Sequence, residues 1–355
     1  MGKRKTAILG SSGMIGQRFA HMLNAHPYFD VMAYCASDRS EGKTLANVWK
    51  LSDVAIDGAL SPRVIQGTDP SALAKAGIEV VFSGLPSDVA GPVEDACADA
   101  GMAVFSNAAS HRMEDDTPIL VPEINPDHLA SVELQRKRRR KGGFIVTNAN
   151  CSVTGLAIGL KPLVDKFGFR DVNVATYQAL SGAGYPGVSA LDILGNVMPY
   201  IKNEEEKMNA EGRKILGTYK SGKFVDSPVT IMASCARVNV RDGHLEAVFI
   251  RHDRMPSEKD VEKALEEFTA RPQSMKLPSA PERPIIVMKE PNRPQPLIDS
   301  DAGYPARAKG MAVTVGRIRV DKGCLRFYLL SHNTIRGGAG GSVLNAELAY
   351  KEGVI

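Results

Sequence analysis

The chain has 355 residues, 43% of them hydrophobic and 24% charged, and a net charge of +4. That length exceeds one ordinary core and points to two domains, and the composition is that of a soluble globular protein, not a disordered or membrane one. The five Cys are scattered, odd in number and without a CxxC pair, so neither a disulfide framework nor a metal site is expected. The start, Met1-Gly2-Lys3-Arg4-Lys5, lacks a signal peptide's apolar stretch, which makes the cytoplasm the expected compartment. Every apolar run is too short to cross a bilayer.

The first half alternates strand and helix signals. Strands are expected at Thr6 to Leu9, Val31 to Ala36, Val64 to Gln66, Val80 to Ser83, Ala103 to Ser106 and Phe144 to Thr147. Helices are expected at Met14 to Asn24, Ala72 to Ala76 and Val89 to Ala100. Short apolar strands alternating with helices predict a parallel sheet covered on both faces. The basic run Arg136 to Lys141 has no aromatic interleaving and no second cluster, so it reads as a solvated helix end and not a nucleic-acid patch.

A helix from Ser152 to Phe167 follows the strand ending at Thr147, and Cys151 stands at its start. Unpaired backbone N–H groups and the positive end of the helix dipole favour a thiolate there, which makes Cys151 a candidate nucleophile. The alternative is a buried structural Cys. Beyond it, helices are expected at Val188 to Pro199 and Glu204 to Leu216, with a final one at Ser342 to Lys351. Longer β-rich segments are Val172 to Gln178, Val229 to Val240, Leu245 to Arg251, Met311 to Val320 and Leu325 to Ser331. Their length suggests a mixed or antiparallel sheet. Ala270 to Pro305, rich in Pro and charge, reads as an extended excursion.

Three further patterns carry chemistry. Gly10-Ser11-Ser12-Gly13-Met14-Ile15-Gly16, between strand and helix, lets the backbone approach a pyrophosphate at a helix N-terminus. The second strand ends in Ser37-Asp38-Arg39-Ser40, where hydroxyls and an Arg suit a ribose 2′-phosphate and hence NADP; Asp38 leaves room for a 2′-hydroxyl. Arg237 and His244 flank Asp242-Gly243, which reads as a tight hairpin turn. A His there is a candidate general base or an exposed turn residue.

Together these segments resemble the aspartate-β-semialdehyde dehydrogenase family, in the branch found in archaea and fungi. The likeness spans essentially the whole chain. It is carried by Gly10 to Phe19, Leu85 to Pro92, Asn107 to Met113, Asn148 to Gly155, Gln178 to Gly187, Arg237 to His244, Gly310 to Arg317 and Asn333 to Gly341. The resemblance implies an α/β fold: a Rossmann-type NADP-binding domain, residues 1–150, completed by a C-terminal helix in 334–355. Residues 151–333 would form an α+β catalytic and dimerisation domain of the glyceraldehyde-phosphate-dehydrogenase type. By position it makes Cys151 the nucleophile and His244 the general acid/base. Arg237 would hold the substrate α-carboxylate, Glu204 its amino group, and Gln178 would orient it. Lys207 and Arg112, helped by Asn150, would bind phosphate. Gly10, Ser12, Gly13, Met14, Ile15, Ser37, Arg39, Ser40, Leu85, Ser181, Gly182 and Asn333 would contact NADP.

The implied reaction interconverts aspartate semialdehyde plus phosphate and aspartyl-β-phosphate, serving lysine, threonine, methionine and isoleucine biosynthesis, in a homodimer or homotetramer. Two positions depart from the family pattern: Ser11-Ser12 replaces Ala-Thr, and Val153 replaces a Thr beside the nucleophile. A malonyl-CoA reductase is the nearest rival, with no α-amino group to hold. The acid and base of Glu204 and Lys207, one helical turn apart, favour the amino-acid phosphate over it. An N-acetylglutamyl-phosphate reductase fits the same segments less well. A silent NADP-binding redox sensor would make Cys151 an oxidation switch.

Overall fold

In the computed structural model, which describes residues 2–355, the chain builds two six-stranded sheets. The first contains β1 (Arg4–Leu9), β2 (Phe29–Ala36), β3 (Ile65–Gly67), β4 (Val80–Ser83), β5 (Ala103–Ser106) and β6 (Phe144–Thr147). All are parallel, in the order β3-β2-β1-β4-β5-β6. Every residue of β4, β5 and β6 is buried, which is why these strands read as unbroken apolar runs instead of alternating ones. The order turns back between β1 and β4, and a crevice at their carboxyl ends is where such sheets bind ligands.

The second sheet begins with β7 (Asp171–Gln178). A small hairpin, β8 (Thr218–Lys220) and β9 (Lys223–Val225), stands apart from it. Then come β10 (Thr230–Arg237), β11 (His244–Arg251), β12 (Ile285–Met288), β13 (Val313–Asp321) and β14 (Cys324–Ser331). The order is β10-β7-β11-β14-β13-β12, with parallel and antiparallel pairs. One face packs against the Cys151–Phe167 helix through Val172, Val174, Ile231 and Val248. Gly155 and Gly159 bring that helix close to β14: a Cβ on either would lie 2.4 Å from Ser331 Oγ or Leu329 Cδ1 respectively. The other face leaves Tyr177, Met232 and Phe249 exposed.

Four expectations need correction. β10 and β11 are not a hairpin, because β7 lies between them and pairs with both. Val188 to Pro199 holds only a four-residue helix, Ala190–Ile193, and Gly195 with φ +67° ends any continuation. Ala270 to Pro305 is more ordered than an extended excursion, since it supplies edge strand β12 and short helices at Arg271–Ser274 and Pro296–Asp299. A helix at Glu258–Glu266 was not anticipated; Ser257 and Asp260 close a capping box at its start.

The helix Gly340–Lys351 returns to the first sheet and is buried almost all round. Val343, Leu344, Ala346 and Leu348 join Phe19, Phe29, Phe82 and Phe105 in one core, and Tyr350 stacks on Tyr28 at 4.5 Å. His26 Nδ1 accepts from Tyr28 N–H, so Nε2 carries the proton and donates to Glu347 at 2.9 Å. The basic run closes the Val132–Arg138 helix, and three of its four arginines are paired: Arg136 with Glu133, Arg138 with Asp116, Arg139 with Asp95 and Asp99. No helix is long and apolar enough to cross a membrane.

Candidate active site

Cys151 is the first residue of its helix, and Asn150 caps that helix by accepting from Ser152 N–H (2.9 Å) and Val153 N–H (3.2 Å). The Sγ lies on the floor of a cleft of about 650 Å³ between the two sheets. His244, the first residue of β11 and wholly buried, places Nε2 3.2 Å from Sγ. Its Nδ1 accepts from Ala179 N–H at 3.0 Å. In the neutral ring the proton therefore sits on Nε2 and points at the sulfur. Burial, then Arg237 and His332, push this imidazole down to about 3, so the ring is neutral near pH 7. The thiol moves the other way: burial and Glu204 raise it to about 12 against the pull of Arg237, Arg112 and Ser152 N–H. The helix start does pull the thiol down, through Ser152 N–H, but burial and Glu204 act more strongly in the other direction.

Arg237 ends β10 one strand beyond Gln178, which ends β7. One guanidinium N–H of Arg237 goes to Ala179 O at 2.7 Å, and the others remain for the cleft. The helix Glu204–Ile215 crosses the opposite wall. Glu204 accepts from Asn150 Nδ2 (3.0 Å to each oxygen), from Gln178 Nε2 (3.0 Å) and from Ser152 Oγ (3.5 Å). Asn150 therefore has its carboxamide committed at both ends, as helix cap and carboxylate holder, instead of free for phosphate. Arg112 uses three N–H groups on Asn148 O (2.9 Å), Asn107 O (2.8 Å) and Glu211 (2.9 Å), and two are left over. Lys207 also lines the cleft.

Three charged residues around the site have no counterpart among the sequence expectations. Glu211 bridges Arg112 to Asn150 N–H (2.7 Å), which ties an arginine of the cleft to the start of the nucleophile's helix. Lys214 donates to the carbonyls of Arg112, Glu114 and Thr117 at 2.7, 2.8 and 2.9 Å, fixing the loop that carries Arg112. Glu246, fully buried below the cleft, has no partner on either oxygen, and burial together with Glu204 holds its carboxyl well above the ordinary range. Glu211 and Lys214 carry a readable signal, since with Glu204 and Lys207 they recur every three or four residues along one helical face.

The nucleotide side of the cleft is lined by Gly13, Met14, Ile15, Leu85, Ser181, Gly182 and Asn333. Gly10 lies beneath the turn with φ +73°, and its Cβ would meet Gly84 O at 2.7 Å; a Cβ on Gly16 would strike Gly10 O at 2.1 Å. The ten-residue Met14–Leu23 helix starts without a side-chain cap, leaving its first N–H groups toward the cleft. That cradle fits a pyrophosphate. Ser12 lies in the same turn, but Ser37, Arg39 and Ser40 stand outside the cleft, in an exposed turn after β2. Asn333 donates to Ser181 Oγ (2.8 Å) and accepts from Gly243 N–H (2.9 Å), holding two loops of the cleft together.

The family model described as semialdehyde dehydrogenase, NAD binding domain, matches residues 5–132, and the semialdehyde dehydrogenase dimerisation domain matches residues 160–336. An aspartate-semialdehyde dehydrogenase of Archaeoglobus fulgidus is 46% identical, with 98% of each chain covered. A malonyl-CoA reductase (NADP) of Metallosphaera sedula is 38% identical over 99% of this chain and 98% of its own. The crystal structure of aspartate semialdehyde dehydrogenase with NADP from Candida albicans superposes with a TM-score of 0.88 at 39% identity, covering 100% of both chains. The chain belongs to the aspartate-semialdehyde dehydrogenase family.

Proposed function

We propose that this protein interconverts L-aspartate-β-semialdehyde plus phosphate and L-aspartyl-β-phosphate, with NADP, through an acyl-thioester on Cys151. The observation that carries the reading is the pairing of Cys151 Sγ with His244 Nε2 at 3.2 Å, in a cleft that also holds Arg237 and Glu204. When bound, NADP would supply the hydride acceptor for the oxidative direction, and NADPH the donor for the other. Gly10, Gly13 and the start of the Met14–Leu23 helix would cradle its pyrophosphate; Ser37, Arg39 and Ser40 would take the 2′-phosphate.

Arg237 offers a guanidinium fork to the α-carboxylate, and Glu204 takes the α-ammonium. The Cys151 thiolate adds to the aldehyde carbon, and the carbonyl electrons move to oxygen. His244 donates a hydrogen bond from Nε2 to that oxygen, as Ala179 N–H on Nδ1 dictates. Loss of hydride leaves a thioester. Phosphate, held by Lys207 and the two remaining N–H groups of Arg112, attacks the acyl carbon and expels the thiolate.

The chain carries a dimerisation domain, which makes it an oligomer-former. The sheet face bearing Tyr177, Met232 and Phe249 is the two-fold surface we assign to a homodimer, alone or within a homotetramer. We assign the protein to the cytoplasm. A spectrophotometric assay of NADP reduction by aspartate semialdehyde tests the function. Turnover should require phosphate, CoA should not replace it, and Cys151→Ala should abolish it. CoA-dependent turnover would favour the malonyl-CoA reductase reading, and normal kinetics in Cys151→Ala would end the covalent one.

A further inference from the structure

Glu204 is a buried carboxylate, 5% exposed, whose hydrogen-bond donors are all neutral: two amides and a hydroxyl. Among the described residues no Lys, Arg or His forms an ion pair with it. A charge in that position interacts strongly with its neighbours and favours any cation that reaches it. Two of the donors, Asn150 and Ser152, are the residues on either side of Cys151 in the chain. The carboxylate is therefore tied to both chain neighbours of the nucleophile. The other charged or titratable groups around Cys151 are Arg112, from the loop after β5, Glu211, which accepts from Asn150 N–H, Lys207 in the cleft wall, Arg237 on β10 and His244 on β11. Glu246, below on β11, bears on Glu204.

We infer that Glu204 is a brake on Cys151 that the substrate's own α-ammonium releases. Without a cation, its charge opposes the thiolate. When the ammonium pairs with it, the opposition is cancelled, the thiol loses its proton to solvent about tenfold more often, and correspondingly more thiolate is available for the aldehyde carbon. The direction of the thiol's titration, raised by burial and then by Glu204 and lowered by Arg237 and Arg112, agrees with this. The same contact then serves specificity. An aldehyde with the same carboxylate but no amine would still find Arg237, yet would meet about tenfold less thiolate. It would be rejected in the chemical step more than in binding. This part rests on the proposed substrate; the brake itself does not.

The first test uses the whole, ligand-free protein and iodoacetamide, with Cys151→Ser as the blank for the remaining thiols. Glu204→Gln keeps the side chain's size and removes its charge. Removing a like charge that is bonded to both chain neighbours of Cys151 should speed alkylation at pH 7–8 about tenfold. An equal or slower rate in a variant with a native melting profile overturns the inference, whatever the substrate proves to be. The second test needs no variant. With succinic semialdehyde, wild-type kcat should fall at least about tenfold relative to aspartate semialdehyde and recover as pH rises. A loss confined to KM overturns it.

Discussion

Replacing Glu211 by Gln should loosen the cleft at two points at once. The wild-type carboxylate gives one oxygen to Arg112 at 2.9 Å and the other to Asn150 N–H at 2.7 Å. Gln has only one acceptor oxygen, so in either orientation its NH2 faces a donor. Arg112 keeps its bonds to Asn148 and Asn107, which confines the loss to this bridge. Breaking one side of a buried ion pair costs about 3–5 kcal/mol. At about 2–4 °C per kcal/mol for domains of this size, Tm should fall by roughly 6–20 °C in a thermal melt. The KM for phosphate should rise in the same variant, because Arg112 is held by two bonds instead of three. Arg112→Met combined with Glu211→Met removes both charges and should recover much of the Tm while leaving phosphate binding impaired. A melt within about 1 °C of wild type and an unchanged phosphate KM for Glu211→Gln would refute the bridge.

Alkylation of free Cys151 should rise about tenfold per pH unit from pH 6 to 9, since the thiol is raised to about 12 and the thiolate fraction grows throughout that range. His244, lowered to about 3, adds no step near the ordinary imidazole value; a plateau beginning near pH 6–7 would instead mean a thiolate–imidazolium pair. Gly182→Ala should cut kcat/KM about 100-fold with little change in Tm, because its Cβ would stand 2.8 Å from Arg237 Nη1 and 3.3 Å from His244 Nε2. Steady-state kinetics within about twofold of wild type would show that the loop yields freely.

The strands of the first sheet were legible because each is a continuous apolar run, buried on both faces and bounded by turn residues. Cys151, His244, Arg237, Glu204 and Gln178 were legible through family likeness, and the structure gathers them at one cleft. What escaped depends on distant pairing. Asp242-Gly243 carries a local turn signal, but no local signal tells that β7, from much earlier in the chain, inserts beside the strand that follows. The helix start correctly predicts where Cys151 sits; its ionisation is decided by burial and by Glu204, contributed from another helix. Glu211 and Lys214 look like solvated helix charges until the 107–117 loop is seen folded over them. The Ser257–Asp260 capping box was a readable sign of the helix that was missed.

The helix Gly340–Lys351 fills the core of a sheet whose first strand begins at Arg4. Synthesis therefore delivers the six strands of that sheet long before the element that closes their hydrophobic interior. During translation the apolar side chains of Phe19, Phe29, Phe82 and Phe105 wait for Val343, Leu344 and Leu348, with the Cys151 half already made. The nucleotide-binding half is thus first to be synthesised and last to be sealed, and a nascent chain stalled before residue 340 would expose a surface suited to chaperones.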